Sequence, residues 1–237
     1  MVQVKVIGDK LERPVYLRVK FAKTGKLQYI SHLDLVRTMN KILIRARMPL
    51  WFTEGFNPKP KMIFASSMSV GLQSECEFMD VRLTHKIDLE SAKEALNANS
   101  SDELYVIDVY YPKTEFTDIG WAEYRIAIRS EHLPENVTEK CEKVLTSSPL
   151  TVLKRTKSGD KNVDISASIG DVCATFSLDG IVELKVMLKA ENTSFLNPEY
   201  LITVLKNELG ILTGSLLENT YDITRTAMYD SNMNLFE

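Results

Sequence analysis

Three cations recur at helical spacing, Arg37, Lys41 and Arg45, and Arg47 follows just beyond them. Downstream comes Trp51-Phe52-Thr53-Glu54-Gly55-Phe56-Asn57-Pro58-Lys59-Pro60-Lys61, in which three aromatics are interleaved with two lysines. Aromatic rings beside cations on an extended loop suit stacking on bases and pairing with phosphates. Like charges four residues apart each cost a helix about 0.2–0.5 kcal/mol, and an anionic ligand would offset that. A charge run alone reads as a solvated helix face. The neighbouring loop turns the reading toward a site made of Arg37, Lys41, Arg45, Arg47, Phe56, Asn57, Lys59 and Lys61, while Trp51 and Phe52 read as core anchors.

The one candidate for proton chemistry is His32, in the run Ser31-His32-Leu33-Asp34. An imidazole in a first helical turn can hydrogen-bond a base or a phosphate, or act as a general base. Asp34 is two residues on and points elsewhere on a helix, so it is not expected to orient His32, and a capping or binding role is the expectation for the pair. Cys76, Cys141 and Cys173 have no C-x-x-C spacing, and His32, His85 and His132 have no metal-ligand spacing, so no metal and no cofactor are expected. Phosphate-loop, nucleophile-elbow and H-E-x-x-H motifs are absent from the chain, as are paired carboxylates in matched settings.

These residues need a helix and a loop to hold them. Ser31 as N-cap with Asp34 three residues on predicts a helix start, and Leu35, Val36, Met39, Ile42, Leu43 and Ala46 form an apolar stripe at three- and four-residue spacing. Pro49 is expected to stop the helix just after Met48. The two prolines and Gly55 predict a stiff extended loop with a tight turn. Ten Lys or Arg against two acids give Arg18 to Lys61 a charge of +8 in a chain of formal charge -3, so the remainder carries -11. A positive segment in a negative chain points to an anionic partner.

Around that segment the first half reads strand, helix, strand, strand, helix, strand. Val15 to Phe21 and Met62 to Met68 are strands, Phe78 to Leu83 pairs back, Asp88 caps a helix through Leu96, and Leu104 to Tyr110 closes the sheet. The second half repeats the plan less clearly. Strands are expected at Glu123 to Arg129, Leu150 to Arg155, Val172 to Leu178, Ile181 to Leu188 and Tyr221 to Tyr229, with helices at Pro134 to Leu145 and Asn197 to Leu209. Asp179-Gly180 marks a hairpin, and the turn with Arg155, Lys157, Lys161 and Asp164 reads as a solvated tip. The expected fold class is α+β, with tandem ferredoxin-like (β-α-β-β-α-β) halves at residues 14–111 and 121–237. A chain of 237 residues, 44% hydrophobic and 26% charged, has ordinary soluble composition. It contains no apolar run of ~18 residues and no leader-like apolar segment at its start, so a cytoplasmic location without membrane association is expected.

The run FAKTGKLQYISHLDLVRTMNKILIRARMPLWFTEGFNPKPKMIFASSMSVGLQSECEFMDVRL resembles the radical SAM-linked proteins, a bacterial family of unknown function found beside or fused to a radical SAM protein. The match is close from Phe21 to Leu83 and scattered beyond. The family's loop reads G-F-N-P-H-P-K, and Lys59 stands here where that pattern has His, which counts against catalysis at that position. The chain has no C-x3-C-x2-C cluster motif and so is not itself the radical enzyme. The resemblance implies a radical SAM protein as partner. With the basic face it leads to the expectation of a non-catalytic accessory protein that binds structured RNA such as tRNA or rRNA. A metal-independent endoribonuclease like the RAMP nucleases, using His32, and a purely protein-binding adaptor are the alternatives.

Overall fold

The computed structural model describes residues 3–156, 159–191, 194–215 and 217–237. It is mixed α+β, and the chain divides into two compact units, one running through Phe116 and including Glu237, the other Thr117–Phe236.

In the first unit, β1 (Val6–Ile7) leads to β2 (Val15–Lys23), α1 (His32–Arg45), β3 (Met62–Phe64), β4 (Gln73–Leu83), β5 (Lys86–Ile87), α2 (Leu89–Asn97) and β6 (Leu104–Tyr110). β2 lies between β4 and β6, and β3 pairs with β4, every pairing antiparallel, so the order is β3-β4-β2-β6. β1 and β5 form a separate short ribbon. Leu17, Val19 and Phe21 from β2 and Met79 and Val81 from β4 meet Leu35, Met39 and Leu43 from α1 and Ala92 and Leu96 from α2 in one core. Arg18 is also fully buried and pairs with both carboxylate oxygens of Asp80, at 2.8 and 2.9 Å. A bidentate, charge-assisted pair of this kind is what a buried guanidinium requires.

Gly25, at φ +56, turns the chain out of β2 into a short 3-10 helix over Gly25–Tyr29. A side chain at Gly25 would displace the movable end of Glu103, and the left-handed backbone is what calls for glycine here. α1 then starts at the expected cap: Ser31 Oγ accepts from the Asp34 backbone N–H at 3.1 Å and donates to Asp34 Oδ2 at 2.8 Å. The helix stops earlier than Pro49 suggested. Arg47 takes the left-handed conformation (φ 55), its N–H donates to Ile44 O, and the Met48 N–H donates to Leu43 O, closing a Schellman motif with Met48 buried. Val36 is only half-buried and leaves the core stripe.

In the second unit, β7 (Ile119–Arg129) is followed by α3 (Val137–Leu145), β8 (Thr151–Thr156), β9 (Gly159–Asp164), β10 (Ile169–Phe176), β11 (Val182–Lys189), α4 (Glu199–Leu209) and β12 (Thr220–Asp230). β7 lies between β11 and β12, and β10 pairs with β11, giving the antiparallel order β10-β11-β7-β12. The strand expected at Leu150 to Arg155 is β8, which among the described residues pairs with β9 alone, in a ribbon of its own. Lys161 is exposed on that ribbon, whereas Lys157 and the side chain of Arg155 lie outside the described residues. Among the described residues no helix is long and apolar enough to cross a membrane.

Candidate nucleic-acid interface

The loop after α1 is a narrow ladder hung from β4. Leu50 bridges Leu83, the Trp51 N–H donates to Arg82 O at 2.8 Å, and the Arg82 N–H donates to Lys61 O at 3.3 Å, so both ends of the loop are tied to one residue of β4. Phe52 bridges Pro60, the Thr53 N–H donates to Lys59 O at 2.9 Å, and the Lys59 N–H donates to Thr53 Oγ1 at 3.1 Å. Pro60 has no N–H to lose and is buried, while residues 54–58 form the tip, turned by Gly55 at φ +128. Phe56 projects from that tip with no burial at all, at 112% relative exposure. Trp51 is half-buried, but Phe52 is exposed and does not anchor the core, because the ladder that holds it stands off the sheet.

The loop and β3 leave a groove of about 480 Å³ along α1. One wall is helical, from His32 and Leu33 through Val36 and Arg37 to Asn40; the other is Lys59, Pro60, Met62, Phe64 and Ser67. His32 marks one end, where its ring meets Phe64 edge-to-face at 5.3 Å and its Nδ1 lies 3.4 Å from Ser67 Oγ. The second wall enters at Lys59 and leaves at Ser67, so Lys59 lies away from the His32 end. The groove therefore carries two cations and apolar wall residues, with one end aromatic and bearing hydroxyl and imidazole groups.

Of the expected site residues, Arg37 and Lys59 line this groove together with His32. Lys41, Arg45, Arg47, Phe56, Asn57 and Lys61 are all exposed but do not line it. At about 100° per residue, Arg45 projects roughly 80° further round the helix than Arg37, on the side away from the loop. Arg37 Nη1 donates to Asp34 Oδ1 at 2.9 Å, leaving the rest of the guanidinium fork for a ligand. The Ser31 hydroxyl first, and the Arg37 guanidinium second, hold the Asp34 carboxyl below the usual carboxylate range. Asp34 is thus occupied by its own helix end.

Below the aromatic end lies a second, small cavity that shares His32, Phe64 and Ser67 with the groove and is also lined by Lys23, Ser66 and Glu77. Its volume of about 10 Å³ is room for a single water. Lys23 and Glu77 are 3% and 4% exposed, and Lys23 Nζ donates to Leu72 O at 2.9 Å. Asn40 was legible in principle, being one helical turn on from Arg37, whereas Val36, its immediate neighbour, read as part of the apolar stripe. Phe64, Ser67, Lys23 and Glu77 come to the site only through the pairing of β3 and β2 with β4. No group of three metal-ligating side chains occurs among the described residues.

Among curated proteins none matches the chain. Of solved structures, a chain of the crystal structure of a Cbf5-Nop10-Gar1 complex is similar, with a TM-score of 0.46 and 11% identity over 90% of this chain and 48% of that one. The protein thus spans about half the length of that chain, and so loose a likeness carries no argument about function. Residues 16–198 match the family described as "Uncharacterized protein conserved in bacteria (DUF2344)", a stretch that holds the whole groove, and the chain belongs to that family.

Proposed function

We propose that this protein is a non-catalytic accessory protein that binds structured RNA through the groove and the basic face beside it. One observation carries the reading: Arg37 from the helix and Lys59 from the loop line a single groove that also has an aromatic end. Paired cations attract phosphates, and rings attract bases. Lys41, Arg45, Arg47, Asn57 and Lys61 then extend the phosphate track, and Phe56 offers a ring at its edge. The partner to which the RNA is presented is a radical SAM enzyme, a reading supported by the resemblance of Phe21 to Leu83 to the radical SAM-linked proteins. We also read both units as ferredoxin-like halves. The strand orders β3-β4-β2-β6 and β10-β11-β7-β12 support this, since each is a split β-α-β arrangement, the second with the β8-β9 ribbon inserted.

The test is a salt titration of RNA binding by the wild type and by Arg37→Ala with Lys59→Ala. The pair should weaken binding and flatten the slope of log affinity against log salt by about two contacts' worth, at roughly 0.7–0.9 per phosphate. Unchanged affinity and slope would sink the reading. A wild type without salt-sensitive RNA binding that copurifies with its enzyme would favour the adaptor. The endoribonuclease reading has one observation in its favour, the exposed His32 beside Ser67. It requires RNA cleavage in the presence of a chelator that disappears in His32→Ala.

A further inference from the structure

Resting on the RNA-binding reading, we infer that the groove seats one unstacked nucleotide, so that the RNA recognised is an unpaired loop or a flipped-out base rather than a helix. Size is the first argument. About 480 Å³ falls within the range of small-ligand sites, roughly 300–1,000 Å³, and a base that stays paired and stacked in a duplex cannot turn its ring into such a space. A duplex offers phosphates and a shallow minor groove, which an exposed row of cations would bind without any groove at all. A nucleotide taken out of the stack has a ring to bury and an edge to be read.

The kinds of side chain that line the groove point the same way. Arg37 and Lys59 supply cations for a phosphate, Val36 and Met62 an apolar wall, and His32 with Ser67 hydrogen-bonding groups for a base edge. The wall from His32 to Asn40 covers eight residue steps of helix, about 12 Å, the length of one nucleotide rather than several. Asn40 adds a third observation. Its Oδ1 is buried with no hydrogen-bond partner among the described residues. The terminal torsion of an asparagine is soft and roughly two-fold, so the amide can turn its acceptor to an N–H or O–H donor seated in the groove. Phe56, three residues before Lys59 and wholly exposed, is a platform on which a neighbouring unpaired base can stack.

Two RNAs of equal charge test this by fluorescence anisotropy: a hairpin with a mixed-sequence unpaired loop and a blunt duplex. The wild type should prefer the hairpin by about tenfold or more, the worth of one well-stacked base. Leu33→Trp fills the groove from an exposed helix position and keeps every cation, so it should abolish the preference while duplex affinity, salt slope and thermal unfolding stay as they were. Val36→Phe, from inside the groove, should do the same. Equal binding of the two RNAs by the wild type, or a preference that survives both filled variants, overturns the nucleotide seat and leaves the RNA-binding reading standing on its salt slope. Absence of salt-sensitive binding to either RNA overturns both. Free AMP or UMP binding as tightly as the hairpin overturns RNA as the source of the nucleotide.

Discussion

Asp34 illustrates how one residue serves the helix and the site together. Its carboxylate accepts from Ser31 and from Arg37, both of which favour the ionised form and hold its folded pKa below the unfolded one. The resulting stability is present above the unfolded pKa and is lost as pH falls through the folded one. Replacing Asp34 with Asn should therefore lower stability at neutral pH, and the gap from the wild type should close as pH drops through the carboxylate range. Urea unfolding at several pH values and low salt would measure it. A gap that persists at acid pH would mean the residue acts through something other than its charge. Arg18 and Lys23 make a different point, since both count toward the basic segment in the sequence and both are buried, Arg18 on Asp80 and Lys23 on the Leu72 carbonyl. The surface charge near the groove comes from the other cations.

At the scale of the element, α1 ends in strain at a residue that also belongs to the basic face. A non-glycine residue in the left-handed region costs about 1–2 kcal/mol, and Arg47 is held there by the Schellman hydrogen bonds and the burial of Met48. Glycine at this position removes that cost and adds some chain entropy to the unfolded state, leaving a net gain of about 0.5–1 kcal/mol. Arg47→Gly should thus raise the unfolding midpoint while weakening RNA binding, the trade expected when a strained residue is kept for function. A variant that loses stability would show that the arginine side chain itself holds the helix end.

Across the whole molecule the three thiols report where the chain is closed. Cys76 and Cys141 are buried, burial pushing the Cys141 thiol up to about 11, whereas Cys173 is exposed on β10. A thiol reagent near neutral pH should modify one cysteine quickly, identified as Cys173 by peptide mapping, and reach all three only after denaturation. Rapid native labelling of Cys141 would mean that the packing of α3 against β10 opens readily.

Local chemistry was enough to place several elements. The Ser31 cap, the Asp88 cap, the stripe Leu35-Met39-Leu43, the strand over Leu104–Tyr110 and the Asp179-Gly180 hairpin all follow from interactions within a few residues, and such interactions act the same way in any fold. The exposed basic residues were legible for the same reason, because charge resists burial. Tertiary structure decided everything that depends on a partner distant in the chain. The helix stops at Arg45 because Met48 finds a buried seat, and β8 stands apart from the β10-β11-β7-β12 order because it pairs with β9. Val36 faces a groove instead of the core because the loop tied to Arg82 stands beside it. Whether a residue a few positions from Arg37 becomes core, wall or open surface depends on which distant strand pairs beside it, and register between strands is a property of the folded sheet rather than of any one stretch of sequence.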